Sequence, residues 1–223
     1  MIAGGTDDPR RDQDGYSPVR KGAAMTQTVR IGVAVDVPPP WGPQLTRHRI
    51  EAGDPLGTAI PAHVTLLGPT EIDPADLDAI ERHLAVVAAE HTEFELLLRG
   101  TGTFRPITEV VFVAVAAGIS ECEQLAAAIT ATPELQRPRH YPYHPHVTVA
   151  QDVPEPALDD VFEKLAGFEA RFEVSEFTLF THTGDIKSPA NRWHPQRDYR
   201  LAGPPAPAGL PAGRPGVAQR PGR

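Results

Sequence analysis

Apolar and polar residues change period several times along this chain, and the changes mark out alternating extended and helical stretches. Val29 to Val37 (VRIGVAVDV) is β-branched and alternating, which predicts a strand stopped by Pro38-Pro39-Pro40. From Trp41 to Ala52 the residues Trp41, Leu45, Arg49 and Ile50 recur at near-helical spacing and Gly53 follows, the pattern of a helix with a C-terminal glycine. After a loop comes a short extended stretch, His63-Val64-Thr65-Leu66. Asp73 then precedes Pro74, and Leu77, Ile80, Leu84 and Val87 form one apolar stripe, so a helix capped by Asp73 with Pro74 at its first position is expected. Phe94 to Arg99 (FELLLR) reads as a strand, and Gly100-Thr101-Gly102 as the turn out of it.

The same order then repeats. Glu109 to Ala116 (EVVFVAVA) is an apolar run of strand length, and Ser120 to Thr130 is a helix candidate with Ser120 as cap and Glu123 three residues on, a capping box. Pro-rich His140 to Pro145 leads into a second short strand, His146-Val147-Thr148-Val149. Pro156 to Ala166 places Leu158, Val161, Phe162 and Leu165 on one helical face, and Phe172 to Thr181 alternates as a long strand. Ile31 and Val111 lie 80 residues apart, His63 and His146 83, Pro74 and Pro156 82, and Phe94 and Phe172 78. The expected fold is therefore α+β: a strand-helix-strand-helix-strand unit present twice, about 29–100 and 109–181, inside one domain spanning 25–202. Two such lobes related by a pseudo-twofold axis would leave a central cleft between the two short strands. Residues 1–24 lack periodicity and are expected to be a disordered leader, with Met25 a candidate start; residues 203–223, dominated by Pro and Gly, are expected to be a disordered tail.

Composition narrows the setting. A chain of 223 residues with 40% apolar content is long enough to bury a sizeable core. Its single cysteine, Cys122, has no internal partner for a disulfide, and no stretch approaches the roughly 20 apolar residues that cross a bilayer. Nor does the N-terminal stretch carry the apolar segment of a signal peptide. A cytoplasmic monomer without membrane contact is the expectation. Net charge is −8, and between Met25 and Ala202 it falls to −11, with 14 basic and 25 acidic residues. That balance argues against broad electrostatic binding to a nucleic-acid backbone, so an anionic ligand would have to be held locally.

The two short strands carry the candidate chemistry. Successive side chains of a strand alternate faces, so His63 and Thr65 point one way while Val64 points into the core, and His146, Thr148 and Val147 repeat the arrangement. Two imidazoles with an ordinary pKa of about 6.5 can serve at neutral pH as general base and general acid in one step, without a metal or cofactor. Two threonine hydroxyls beside them can donate hydrogen bonds to the nonbridging oxygens of a phosphodiester. At these residues the chain resembles the two-histidine phosphoesterase superfamily, which includes the 2′-5′ RNA ligases and RNA 2′,3′-cyclic phosphodiesterases. The likeness extends to Pro61, to Gly68-Pro69, to His144-Pro145 and to Gly102-Thr103-Phe104, and spans roughly Val29 to Thr181. The resemblance implies a two-lobed fold with a central cleft, metal-independent opening of a cyclic phosphate on an RNA end or small nucleotide to a 2′-phosphate, and roles for His63, Thr65, His146 and Thr148. The RNA-ligase branch commonly carries arginine shortly after the second motif, where this chain has Gln151; Arg105 or Arg30 are the candidate substitutes.

Other residues admit more than one reading. Phe104 and Tyr143 are candidates for stacking on a nucleobase or for core packing, and His144 for contacting ligand from the rim. His140, His144 and His146 would be the ligands of an alternative zinc hydrolase. A further alternative is a non-catalytic RNA or nucleotide binding module built on the same fold. His48, His83, His91, His182 and His194 read as surface residues, and Trp193 as an anchor for the C-terminal segment.

Overall fold

The computed structural model describes residues 28–138, 141–184 and 190–204. The leader expected over residues 1–24, His140, and the tail beyond Pro204 lie outside the described residues. Eight strands form two antiparallel four-stranded sheets. In chain order the elements are β1 (Val29–Asp36), α1 (Trp41–Glu51), β2 (His63–Ile72), α2 (Leu77–Glu90), β3 (Phe94–Thr103), β4 (Val110–Ala117), α3 (Ile119–Ile129), β5 (His146–Gln151), α4 (Glu155–Lys164), β6 (Glu169–Val174), β7 (Glu176–Thr183) and β8 (Arg192–Arg200). The doubled α+β order expected from the sequence is present, but its strands are shared out differently. One sheet runs β2-β1-β7-β8 and the other β5-β4-β3-β6. The strand that closes the first half, β3, therefore pairs with β4 of the second, and β7 crosses back to pair with β1. The halves at 29–100 and 109–181 are successive in sequence, and each sheet draws on both.

The long strand expected over Phe172 to Thr181 is two strands in different sheets, β6 and β7, with Ser175 between them. Its alternation continues through the change of sheet, because both pieces bury one face. By position in its sheet β7, not β6, is the counterpart of β3, and their starts lie 82 residues apart, in line with the other offsets. The helices are exchanged too: α1 packs on β5, and α3 packs on β2.

Several local expectations change for identifiable reasons. Gly100-Thr101-Gly102 does not turn the chain: β3 runs on to Thr103, with an irregularity in its pairing between Leu98 and Thr101, where Gly100 takes a φ of +67°. A Cβ on Gly102 would fall 2.5 Å from the Phe112 ring, so the missing side chain lets that ring lie across the strand. The capping box of Ser120 and Glu123 does not form. Gly118, with a φ of +86°, precedes α3, and the Ser120 hydroxyl accepts a hydrogen bond from Gln124 instead. In α1 the buried positions include Leu45 and Arg49, while Ile50 is exposed. Asp73 accepts a bond from the Ala75 amide as expected, opening a single 3₁₀ turn that leads into α2. The first tail residues are held: the Gly203 amide bonds to His91 O, and the Thr92 hydroxyl to Pro204 O.

One apolar core runs through both sheets. It includes Ile31, Val33 and Val35 of β1, Val111, Val113 and Val115 of β4, and Val64 and Val147, the residues between histidine and threonine in each motif. The two motif strands are edges of their respective sheets and lie against each other.

Candidate active site

Each motif histidine starts its strand and is held by the same local device. His63 Nδ1 lies 2.8 Å from Pro61 O, and His146 Nδ1 lies 2.7 Å from His144 O. A carbonyl only accepts, so Nδ1 carries the proton in both rings, and in the neutral form Nε2 is the basic nitrogen. In His63 this Nε2 accepts a bond from the Thr65 hydroxyl at 3.1 Å, the same-face contact that the His-x-Thr spacing predicts. The proline before each motif, Pro61 and Pro145, belongs to the extended entry that brings the carbonyl two residues back under the ring.

Across the cleft the motifs are tied by Tyr143, whose hydroxyl donates to Thr65 O at 2.8 Å. A second tie lies behind them. The Asp54 carboxylate is fully buried and accepts from Arg49 Nε at 2.7 Å, from the Leu56 amide at 2.8 Å and from the Gln151 amide at 3.1 Å. Helix α1, the loop before the first motif and the last residue of β5 thus meet on one side chain. Gln151, which stands where the resemblance leads one to expect arginine, meets this pair through its backbone.

Electrostatics favour neutral rings. Burial, with the nearby Arg49, His146 and His182 charges, takes His63 down to about 4 despite the Pro61 bond, and burial with His144 also lowers His146. A proton on His146 thus disfavours one on His63. The burial of His63 comes in part from Trp193, whose ring centroid lies 4.4 Å from the imidazole. Trp193 in turn packs on the small apolar cluster of Leu56, Ala59 and Ile60 and lies 4.8 Å from His182. The segment after β7 is therefore more than an anchor. His182, expected at the surface, is buried, and burial together with Arg30 lowers it to about 4. The isolated Trp193 gives no periodic signal, since His63 and the cluster it packs on are 130 to 137 residues away in sequence.

The cleft opens beside His146 and Thr65 as a space of about 690 Å³ that runs along β2. Phe104, Tyr143 and His144 line it, together with residues the sequence did not single out, among them Ile107, Arg137 and Tyr141. The Phe104 ring packs on its neighbours, 4.5 Å from the buried Phe112 and 5.0 Å, edge to face, from His146, while also lining the cleft. Thr148 is half-buried on β5 opposite Phe112, and neither it nor His63 is among the residues that line this space, which reaches the motifs through Thr65 and His146. Neither proposed substitute for a cation at position 151 faces the site. Arg105 bonds to Asp159 at 2.8 Å and to Thr103, and Arg30 bonds to Glu71 at 3.0 Å and to Gly184 O. Both guanidiniums point to carboxylates because the acidic surface supplies them nearby. His144 and His146 stack 6.2 Å apart, but among the described residues no three metal-ligating side chains gather.

Comparison with known proteins agrees with this fold. The architecture is that of E. coli LigT: the structure complexed with NADP+ superposes with a TM-score of 0.55 at 22% identity, covering 79% of this chain and 99% of that one, and the 3′-AMP complex gives 0.56 at 22%, covering 78% and 99%. A phosphoesterase-named protein of Oceanobacillus iheyensis is 28% identical over 130 residues, which is 56% of this chain and 74% of that protein. A similarly named protein of Bacillus licheniformis is 29% identical over 120 residues, covering 54% and 70%. The signature of the 2′-5′ RNA ligase superfamily matches residues 37–186, and the chain belongs to that family of two-histidine phosphoesterases.

Proposed function

We propose that the protein is a metal-independent phosphodiesterase that opens a 2′,3′-cyclic phosphate, on an RNA end or a nucleotide, to a 2′-phosphate. The observation that carries this reading is the matched pair of imidazoles, each fixed through Nδ1 by the carbonyl two residues earlier, on strands that abut across a cleft. Water attacks phosphorus as one histidine takes its proton, the P–O3′ bond breaks, and the other histidine protonates the departing 3′ oxygen. Thr65 and Thr148 donate to the nonbridging oxygens as charge grows on them.

Two features support a division of roles. His63 is held at about 4, so its Nε2 is unprotonated at neutral pH and open to a proton from water once the Thr65 hydroxyl turns from it to the phosphate, which suits the base; His146 lines the space where the nucleoside would lie, which suits the acid. On this reading the working free enzyme holds one proton between about pH 4 and the ordinary histidine value, and kcat/KM peaks on the acid side of neutrality.

The test is turnover of cyclic-phosphate substrates in EDTA, with His63→Ala and His146→Ala each reducing kcat/KM by roughly 10²-fold or more. A diester with a nitrophenolate leaving group, which needs no protonation, should restore His146→Ala and leave His63→Ala slow. Undiminished activity in both variants, or binding of the nucleotide without any product, would refute the catalytic reading. The second outcome would identify a binding module.

A further inference from the structure

The cleft is much longer than one cyclic phosphate needs, and its composition departs from the rest of the chain. From Thr65 to Thr70 it follows six residues of β2, roughly 17 Å at the usual rise per residue. Among the described residues no carboxylate lines it, in a protein of net charge −8. Its floor and walls are largely apolar, and the two most exposed large apolar side chains among the described residues, Ile107 at 67% and Tyr141 at 63%, both stand on it. At the end away from His146 lies Arg137. Its guanidinium donates to Glu71 O at 3.1 Å and to Gln136 O at 2.7 Å, two neutral carbonyls, and it has no carboxylate partner among the described residues. The Glu71 carboxylate itself is taken by Arg30 at 3.0 Å. With five N–H groups, Arg137 keeps three for a ligand.

A largely apolar trough with the His146 imidazole at one end, no carboxylate among its described lining residues and an uncompensated guanidinium at the other end matches a ligand with apolar faces between two anionic groups. We propose that this trough is a subsite for the nucleotides preceding the cyclic end of an oligoribonucleotide, with a base against Tyr141 and Ile107 and an upstream backbone phosphate on Arg137. The inference rests on the phosphodiesterase reading for its cyclic end and goes beyond it in selecting an RNA end over a free mononucleotide. A mononucleotide whose phosphate sits at the histidines leaves the far end of the trough empty. Stacking on an aromatic face tolerates any base, so recognition here is of chain length and charge, with little sequence preference. A single well-placed cation also reconciles RNA binding with an acidic surface, since the contact is made at one phosphate and not along a basic face.

Equilibrium binding separates this subsite from the chemistry. The full chain is titrated with a nucleoside 3′-monophosphate and with a short oligoribonucleotide ending in a 3′-phosphate, phosphomonoesters that the proposed reaction leaves intact. The oligonucleotide should bind about ten-fold tighter or more, and Tyr141→Ala should remove much of that margin. Arg137→Ala should weaken the oligonucleotide about ten-fold while leaving the mononucleotide unchanged, and should reduce the salt slope of oligonucleotide binding by about 0.7, the value for one phosphate contact on a single strand. Equal binding of the two ligands overturns the proposal. So does an Arg137→Ala variant that weakens both alike or leaves the salt slope intact. Cyclic mononucleotide turnover, followed in parallel, reports on the reaction alone: turnover without length discrimination refutes the subsite, and length discrimination without turnover refutes the phosphodiesterase reading while sparing the subsite.

Discussion

Replacing Trp193 with alanine should change the proton affinity of His63 without touching a residue that meets the substrate phosphate. The indole ring lies 4.4 Å from the imidazole, and burial is the largest cause of the fall of His63 from 6.5 to about 4. At about 1.4 kcal/mol per pH unit, that fall corresponds to about 3 kcal/mol of preference for the neutral ring. The indole is one of the groups that bury the ring, so its loss should return part of this preference and raise His63 measurably above its wild-type value of about 4. Trp193→Phe keeps a ring at the position and should stay near 4. The assay is an NMR titration of the histidine Cε1 protons from about pH 3.5 to about pH 8, with His63 assigned by its absence from His63→Ala. The acid limb of kcat/KM should move with the resonance. If His63 still titrates near 4 in a folded Trp193→Ala protein, the stacking contact does not set its protonation, and Trp193 is structural only.

Stability should fall in acid with a definite sign. His63 and His182 are neutral in the fold down to about 4, while in the unfolded chain each takes up its proton near 6.5, so their contribution is complete above about 6.5 and is lost as pH falls towards 4. Each contributes a slope of up to about 1.4 kcal/mol per pH unit in that interval, and urea denaturation of His182→Phe should show a shallower slope than wild type, with His63 and the likewise lowered His146 supplying the remainder. Asp54→Ala should cost about 3–5 kcal/mol in the same measurement at neutral pH, because it strands the buried Arg49 guanidinium; a loss below about 1 kcal/mol would contradict the assignment of this pair as a tie between the motifs.

Much of this was legible before any coordinates, and the residues show why. The apolar stripe of Leu77, Ile80, Leu84 and Val87 and the β-branched runs of β1 and β4 identify their elements because burial imposes a period on them. The His-x-Thr repeats declare themselves through a spacing that the pleat makes meaningful. Strand partition was not legible: the alternation of Phe172 to Thr181 is the same whether it is one strand or two in different sheets, since alternation reports which face is buried and not which neighbour is paired. Strand β8 was missed because its only buried side chain is Tyr199, leaving a charged run that looks like a loop. The Trp193–His63 contact joins residues 130 positions apart, and nothing in the local sequence of either partner signals it; the Arg49–Asp54 pair spans only five residues at the end of α1, but two opposite charges so close in sequence do not by themselves announce that the fold buries them. Arg105 and Arg30 failed as site cations for a related reason: a guanidinium on an acidic protein finds a surface carboxylate before it finds a cleft.

The crossing of β3 and β7 between the sheets has a further consequence. Neither repeat can complete its own sheet: the first leaves β1 with one open side that only β7 fills, and the second leaves β4 with one that only β3 fills. A single unit of this kind, made alone, would have an open ladder and a projecting strand of the right direction to fill the same gap in a second copy. Two such copies would swap strands about a true twofold axis, and their His-x-Thr strands would meet on it. The present chain is that arrangement with the two copies joined end to end, which frees each half to change separately: one end of the cleft carries Trp193 on His63, and the other the trough beside His146.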